Sequence, residues 1–259
     1  MISRYIHPYW LREKITHRLH RFFDWQPRAG QDIELAFAPG LVMRLQPGDV
    51  GHDSIRLNGF YELALSRHIA RLGKSGGMLV DAGANYGYFS LLWLAQNSKN
   101  QCVAFEPAPD NLRPLSANME RNNLSRRITV VPNALSDQSG TVPFSLENTT
   151  GQTGWGGIAR QSDSATIHVP AVALDDYWAK NFPDVRINVL KIDVEGADTL
   201  VLKGARQLLA AHRIGHVFFE VNRVRMERLE ILPNQAIDLL MACGYRTEQI
   251  APNEFHAYR

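Results

Sequence analysis

The chain is poor in cysteine. Its 259 residues include two cysteines, Cys102 and Cys243, which are far apart in sequence, and neither belongs to a C-x-x-C motif. Both stand in apolar surroundings, which is typical of free, buried thiols in a reducing compartment. The sequence assigns no residue as a metal ligand.

Long apolar runs and a strong net charge are absent as well. No run approaches the length of a membrane-spanning helix, and no stretch has the pattern of a secretory signal, so we expect a cytoplasmic protein. The net charge of +2 gives no overall field that would favour nucleic acid as a partner. A composition of 45% hydrophobic and 21% charged residues is ordinary for a globular protein, and the length suits one large α/β domain with an N-terminal extension.

What the sequence does contain is a glycine-rich turn after an apolar run. Met78-Leu79-Val80 leads into Asp81, and the residues from 82 to 87 read A-G-A-N-Y-G. Gly83 and Gly87 allow a sharp turn and the close approach of a ligand, and the apolar stretch from Tyr88 to Ala95 suits a helix. The pattern predicts a strand, a tight turn and a helix start, and open α/β sheets bind ligands at such turns.

The spacing of this turn differs from that of dinucleotide-binding turns. In the G-x-G-x-x-G fingerprint, backbone N–H groups cradle a pyrophosphate, whereas the third glycine position falls here on Tyr88. Asp81 would repel a diphosphate but suits a ligand with a positive charge, such as an ammonium or a sulfonium. The alternative is that Asp81 caps the following helix.

A second acid strengthens the ligand hypothesis. Glu106-Pro107 follows the β-like run from Gln101 to Phe105, about one helix after Asp81. In nucleotide-binding α/β folds, an acid at this second strand end accepts hydrogen bonds from the ribose hydroxyls. Asp81 and Glu106 without a phosphate fingerprint suit an adenosine ligand that carries a charged amino acid at its other end. S-adenosylmethionine fits this description.

Acids follow two further predicted strands. Asp193 ends the apolar run from Val189 to Ile192 and is followed closely by Glu195, and Glu220 ends the run from Val217 to Phe219. The alternation of strands and helices predicts an α/β fold with a doubly wound, mostly parallel sheet, whose strand ends share one edge. A carboxylate there could bind an ammonium, act as a general base or join a metal site, and helix capping is the alternative for any single acid.

The chain divides into an extension, residues 1–55, and a ligand-binding domain, residues 56–259. Within the extension, Asp32 to Leu45 is predicted to form a β-hairpin broken by Pro39-Gly40, followed by a polar loop from 46 to 54. Glu62 lies at a predicted helix start shortly before the glycine turn and could line the same pocket. Residues 147–164, rich in Gly, Thr, Ser and Gln, are predicted to form a mobile loop, which beside a binding site is often a lid. The strands on either side, 141–146 and 166–172, would pair as an added antiparallel hairpin.

The first 25 residues combine basic, histidine and aromatic side chains. Apolar residues from Trp10 to Phe23 fall at roughly helical spacing, which predicts a basic amphipathic helix. Such a helix suits a membrane surface or an anionic partner, and would place the cytoplasmic protein at the membrane periphery. The alternative, which we favour, is packing on the domain or on a second subunit, as in a homodimer.

Taken together, these motifs resemble those of the FkbM family of S-adenosylmethionine-dependent methyltransferases. The resemblance covers roughly Gly59 to Glu220, and the F-E-P and K-I-D-V-E-G-A pieces in this order are specific to the family. The matching stretches are V-D-A-G-A-N-Y-G-Y-F-S (80–90), A-F-E-P-A-P-D-N-L-R-P-L-S-A-N-M-E-R-N (104–122), V-P-N-A-L-S-D (131–137), A-L-D-D-Y (173–177) and L-K-I-D-V-E-G-A-D-T-L-V-L-K-G-A (190–205).

The resemblance implies a class I methyltransferase fold, with a Rossmann-like seven-stranded sheet whose last strands include an antiparallel one. It also implies S-adenosylmethionine as the cofactor, with Glu106 at the ribose, Asp193 near the transferred methyl group and Asp81 beneath the amino-acid part. The full predicted cofactor site is Glu62, Asp81, Gly83, Ala84, Asn85, Gly87, Glu106, Pro107, Asn133, Ala134, Leu135 and Asp193.

Members of the family mostly methylate hydroxyl groups of sugars, glycans or natural products, so O-methylation of such an acceptor is the expected function. A protein or nucleic-acid acceptor is the alternative, and a nicotinamide-dependent oxidoreductase is disfavoured by the glycine pattern. Because an alcohol needs a base as it attacks, Asp193, Glu195 and Glu220 are the predicted catalytic residues, the first two ahead because they follow the central strand. Capping of the next helix is the alternative role of Glu195.

Overall fold

A computed structural model describes residues 30–146, 151–160 and 166–259, together with Tyr9 and Leu11. Apart from Tyr9 and Leu11, the predicted amphipathic helix therefore lies outside the described residues. The centre of the Tyr9 ring lies 4.9 Å from that of Phe37. Parts of the predicted loop, residues 147–150 and 161–164, also lie outside them. None of the helices in the described part of the chain is long and apolar enough to span a membrane.

Thirteen strands are formed by the described residues, in three sheets. Their bounds are β1 Asp32–Leu35, β2 Ala38–Arg44, β3 Met78–Ala82, β4 Gln101–Phe105, β5 Ile128–Val131, β6 Ala134–Ser136, β7 Gly140–Ser145, β8 Gly157–Ile158, β9 Thr166–Ala173, β10 Ile187–Ile192, β11 Ile214–Glu220, β12 Arg246–Ala251 and β13 Glu254–Tyr258.

Nine α-helices connect or cover these strands in the same described ranges. Their bounds are α1 Val50–Asn58, α2 Leu63–Gly73, α3 Tyr88–Gln96, α4 Pro109–Arg121, α5 Leu174–Asn181, α6 Asp198–Gly204, α7 Arg206–Ala210, α8 Arg223–Arg228 and α9 Gln235–Ala242.

The central sheet has seven strands in the order β12-β13-β11-β10-β3-β4-β5. The pairs β11–β10, β10–β3, β3–β4 and β4–β5 are parallel, whereas β13 is antiparallel to both of its neighbours. The predicted doubly wound, mostly parallel sheet with an antiparallel strand near one edge is therefore confirmed. Strand order reverses between β3 and β10, and such a switch point leaves a crevice at the carboxyl ends of the strands.

The two faces of this sheet bury separate hydrophobic layers. Successive residues of β3 point to opposite faces, so Val80 packs with Trp178 and Leu202 on one side, and Leu79 packs with Ile69 and Trp93 on the other. Every residue of β3 is buried, which agrees with the continuous apolar runs expected of strands covered on both faces.

A smaller sheet, with the order β6-β9-β7-β8, lies beside the central one. The predicted antiparallel pairing of β7 with β9 is confirmed. The short strand β6 was not predicted, and it pairs with β9 in parallel. It is in contact with α6, where a Cβ on Gly204 would overlap the backbone carbonyl oxygen of Ser136.

Three local predictions are wrong. The hairpin turns at 36–37 instead of Pro39-Gly40, which lie within β2, where an outer strand tolerates a proline. The predicted loop 46–54 contains the start of α1, because the Asp49 side chain caps this helix by accepting from the His52 N–H. The helix predicted to run to about 211 is broken at Ala205, and Asp175 accepts hydrogen bonds from the first N–H groups of the second piece, α7.

The packing at Gly204 leads to a testable prediction. Glycine to alanine normally stabilises a helix, but Gly204→Ala should lower the free energy of unfolding by roughly 1–3 kcal/mol, because the new methyl group has to push β6 away from α6. Urea unfolding of the variant measures this change. Lys203→Ala, at the exposed neighbouring position, is the control, and a Gly204→Ala protein as stable as the wild type would contradict the packing described here.

Candidate active site

A cavity lies at the carboxyl ends of β3, β4 and β10, at the switch point of the central sheet. Its walls are the glycine turn after β3, the segments that follow β4 and β5, and the segment that follows β10. It brings together nine of the predicted site residues, which come from distant parts of the sequence. They are Gly83, Ala84, Asn85, Glu106, Pro107, Ala134, Leu135, Asp193 and Glu195.

The other predicted site residues are placed differently. Asp81, Gly87 and Asn133 lie outside the wall of this cavity. Glu62 and Glu220 line a smaller, neighbouring cavity, and Asp193 belongs to both. The acids predicted for the transfer end of the site are thus spread over two adjoining spaces that Asp193 connects.

The glycine turn fits closely against the end of β10. Gly83 has a positive φ of 72°, and a Cβ at this position would overlap the carbonyl oxygen of Asp193. The N–H groups of Gly83 and Ala84 both donate to the carbonyl oxygen of Phe105 at the end of β4. The turn is therefore fixed from both neighbouring strands, and only glycine fits at position 83.

Glu106 is held in a defined orientation at the end of β4. One carboxylate oxygen, Oε2, accepts from the Asn85 N–H at 2.7 Å, and Oε1 accepts from Ala108 N–H at 2.9 Å and from Asn111 Nδ2 at 3.3 Å. Burial raises the pKa of Glu106 to about 7, against the lowering effect of these hydrogen bonds. Since Oε2 has one donor and a carboxylate oxygen can accept two, Glu106 can still accept a hydrogen bond from a ribose hydroxyl.

Asp81 contacts protein groups instead of the cavity. It is fully buried, and its Oδ2 accepts from the Ser90 hydroxyl on α3 at 2.7 Å. Its Oδ1 lies 3.3 Å from the ammonium of Lys191, which is also buried. Asp81 thus lies beneath the glycine turn, where it binds a side chain of the next helix and a cation of the neighbouring strand.

Lys191 was not predicted as a site residue. Its ammonium donates to the carbonyl oxygens of Gly83 at 2.9 Å and Ala82 at 3.3 Å, and it lies 3.6 Å from a carboxylate oxygen of Asp193. Burial alone would lower the pKa of Lys191, but the attraction of the Asp81 and Asp193 carboxylates outweighs burial and raises it. A lysine within the otherwise apolar run from Val189 to Ile192 is the sequence signal that could have identified it.

The acids at the transfer end have different electrostatic environments. Burial, with the charge of Asp193, raises the pKa of Glu220 to about 7 and that of Glu62 well above its ordinary value. Glu195 has a positive φ of 55°, and its carboxylate lies 3.5 Å from Arg225 Nε. In the described ranges, no group of three or more His, Cys, Asp or Glu side chains has the arrangement to hold a metal ion.

Residues 151–158, which we call the strap, contribute to the wall of the cavity. Thr153 is their central anchor, since its N–H donates to Asp49 Oδ2 at 2.6 Å and its hydroxyl accepts from Asn85 Nδ2 at 2.9 Å. Its carbonyl oxygen accepts from Asn111 Nδ2 at 3.1 Å. The strap is therefore bonded to the side chains of both Asn85 and Asn111, which flank Glu106.

The start of α1 supports the same arrangement. Gln152 accepts from the Val50 N–H at 2.9 Å and donates to the carbonyl oxygen of Gly48 at 3.0 Å. The His52 ring lies 2.9 Å from Asn85 Oδ1, and burial lowers the pKa of His52. Asp49 could have been found as a helix N-cap from the sequence. The partners of Gln152 and Thr153 are between 42 and 104 residues away in the chain, and no local pattern indicates them.

The family model described as the methyltransferase FkbM domain matches residues 81–247. "Methyltransferase sdnD" of Sordaria araneosa is 31% identical over 157 residues, which are 50% of this chain and 61% of that protein. "Methyltransferase 1" of Beauveria bassiana (strain ARSEF 2860) is 29% identical over 146 residues, 49% of this chain and 57% of that protein. The chain thus spans less than two thirds of the length of each of these curated relatives.

Two solved structures show the same fold. A methyltransferase FkbM from Methylobacillus flagellatus KT has a TM-score of 0.50 at 18% identity, over 71% of this chain and 44% of its own. A Staphylococcus aureus protein assigned as a caffeoyl-CoA O-methyltransferase has a TM-score of 0.52 at 11% identity, over 95% of this chain and 98% of its own.

The strap can be tested by removing one hydroxyl group. Thr153→Val keeps the shape of the side chain but loses the hydrogen bonds of the hydroxyl to Asp49 and Asn85, so the strap should open more often. We expect amide hydrogen exchange in residues 151–158 to become faster by about tenfold. Thr141→Val, at an exposed position of β7, is the matched control. Exchange at the wild-type rate in Thr153→Val would show that these hydrogen bonds do not hold the strap.

Proposed function

The chain belongs to the FkbM methyltransferase family, and from this premise we propose that it transfers the methyl group of S-adenosylmethionine to a hydroxyl group of a sugar, glycan or natural-product acceptor. The observation that carries the proposal is Glu106, fixed by Asn85 and Asn111 with one acceptor position available at the wall of the cavity. The turn beside it lacks the glycine pattern that cradles a pyrophosphate.

The residues at the cavity suit the parts of this cofactor. Glu106 would accept from the ribose hydroxyls, and the apolar Ala134 and Leu135, which line the same cavity, would contact the adenine. Gly83 and Asn85 would lie against the amino-acid part. Asp193 follows β10, on the opposite side of β3 from Glu106, and would lie near the methyl group. The family resemblance suggests these assignments, and the donor and acceptor chemistry of the walls supports them.

In such a reaction the protein has to position the acceptor, exclude water and remove a proton. When bound, S-adenosylmethionine supplies a methyl group activated by a positive sulfur, and the electrons of the C–S bond return to sulfur as the acceptor oxygen forms the new C–O bond. The protein has to hold the acceptor in line with that bond and to exclude water. It also has to take the proton that the hydroxyl group loses.

Asp193 is the first candidate for the base. It lines both cavities, so it is the acid placed to meet an acceptor in either space. Glu220, with a pKa of about 7, is the second candidate, because a base with a pKa near the working pH transfers protons efficiently. Glu195 is the third candidate: like Asp193 it is in an ion pair, with Arg225, but it lines only the larger cavity.

The role of Glu106 predicts a pH-dependent affinity for S-adenosylhomocysteine. The ionised carboxylate is the better acceptor for ribose hydroxyls, and its pKa of about 7 means that a proton has to leave below neutral pH. Affinity measured by isothermal titration should therefore rise with pH, by up to about tenfold per unit below pH 7, and level off above it. Glu106→Gln should bind about tenfold more weakly or worse at pH 8, without this step.

Glu120→Gln, an exposed change on α4, is the control for that titration. An unchanged affinity and pH profile in Glu106→Gln would remove Glu106 from the cofactor site. If the wild-type protein fails to bind S-adenosylhomocysteine at every pH, the proposed cofactor is wrong.

The proposed base is tested by methyl transfer itself. With methyl-labelled S-adenosylmethionine and a panel of sugars and natural-product alcohols, the wild-type protein should label a hydroxyl oxygen. Asp193→Asn should lower kcat by about 100-fold or more, while S-adenosylhomocysteine still binds. Asp184→Asn, an exposed aspartate before β10, is the control. Transfer by Asp193→Asn at the wild-type rate would move the base to Glu220, and methylation confined to amines would contradict the hydroxyl acceptor.

A further inference from the structure

Lys191 is a positive charge at the wall of a cavity that we propose for a positively charged cofactor. Its side chain is only 2% exposed, and its ammonium lies between Asp81 at 3.3 Å and Asp193 at 3.6 Å. Lys191 also lines the cavity, together with Gly83 and Asp193. A buried cation beside a site for a sulfonium needs a reason, because like charges repel strongly where water is excluded.

The other ionisable groups near Lys191 leave a simple charge balance. Glu62 lies at the start of α2, and burial, with the charge of Asp193, raises the pKa of Glu62 well above its ordinary value, which favours its uncharged form. Glu195 is paired with Arg225. Two carboxylates, Asp81 at 3.3 Å and Asp193 at 3.6 Å, lie within ion-pair distance of the Lys191 ammonium.

We propose that Lys191 is a positioning residue that limits the preference of the site for the sulfonium cofactor over its neutral demethylated product. The inference rests on the proposed function. Two roles are combined in one side chain: its hydrogen bonds to Ala82 and Gly83 hold the glycine turn, and its charge offsets one of the two carboxylates.

Methyl transfer removes the positive charge of the sulfonium, so charged groups near the sulfur affect the reaction. A site with two uncompensated carboxylates would bind the sulfonium tightly and resist its loss of charge during the reaction. The Lys191 ammonium weakens binding of the charged form and leaves the neutral form unaffected, so it favours the transition state, in which the positive charge is decreasing. At a separation of about 6 Å, Coulomb's law gives at least about a tenfold effect on the ratio of the two affinities, even with an effective dielectric constant of about 40, which is above the value of about 20 usual for protein sites.

The test compares two variants in which the fully buried carboxylate of Asp81 has been replaced by a neutral amide. Asp81→Asn keeps the shape of Asp81 and the hydrogen bond to Ser90, and Asp81→Asn with Lys191→Met then removes the lysine charge. Dissociation constants of S-adenosylmethionine and S-adenosylhomocysteine are measured for each protein by isothermal titration at pH 8. The preference for S-adenosylmethionine should be about tenfold greater in the double variant than in Asp81→Asn.

Single variants check the same charge effect if the double variant does not fold. Asp81→Asn alone should lower the preference for S-adenosylmethionine below that of the wild type, because the charge of Lys191 is then less compensated. Lys191→Arg, which keeps the charge, should leave the preference close to that of the wild type. Lys203→Met, which removes an exposed lysine on α6, is the control for a distant change of charge.

The outcomes separate this inference from the proposed function. If removal of the Lys191 charge changes both dissociation constants by the same factor, the lysine has a structural role only and the inference is wrong. An equal ratio in the wild type and Asp81→Asn would likewise contradict it. If the wild-type protein binds neither compound, the proposed function fails, and the inference fails with it.

Discussion

The close contact between the glycine turn after β3 and the end of β10 determines the geometry of the whole site. The carbonyl oxygen of Asp193 occupies the space where a side chain at position 83 would lie, and the Asp193 N–H donates to the carbonyl oxygen of Ala82 at 3.2 Å. Lys191 adds a hydrogen bond from below the turn. Because these two strand ends are fixed to each other, the ligand-facing groups of both segments share one cavity.

The second constraint is the connection of this rigid centre to more distant parts of the chain. Asn85 and Asn111 each donate to the Glu106 carboxylate and also to Thr153 of the strap, so the carboxylate proposed for the ribose and the strap share partners. Asp49 bonds to Thr153 from the start of α1. The N-terminal extension, which the sequence separates from the ligand-binding domain, therefore contributes a wall of the cavity.

Much of this architecture could be predicted from local patterns. The apolar runs of β3, β4 and β5 and the acids that follow β3, β4 and β10 mark the sheet and its functional edge, since strand ends on a parallel sheet meet at one edge. The role of Asp81 beneath the turn was harder to predict, because an acid at a strand end can contact a ligand, a helix or a buried cation. The ion pair with Lys191 decides between these three roles. That pair forms because β3 and β10 lie side by side in the sheet, which a local sequence pattern does not show.

Other parts depend on contacts between distant residues and could not be predicted. The strap has a loop-like composition, yet Gln152 and Thr153 find partners about a hundred residues earlier. The break between α6 and α7 follows from Asp175, which lies on another helix.

We propose that this cavity holds S-adenosylmethionine with its ribose at Glu106 and its sulfur towards Asp193. The most direct measurement is a crystal structure of the protein grown with S-adenosylhomocysteine. We expect both ribose hydroxyls within hydrogen-bonding distance of the Glu106 carboxylate, the adenine beside Ala134 and Leu135, and the sulfur on the Asp193 side of the glycine turn. Density for the ligand elsewhere, or in this cavity with the ribose away from Glu106, would contradict it.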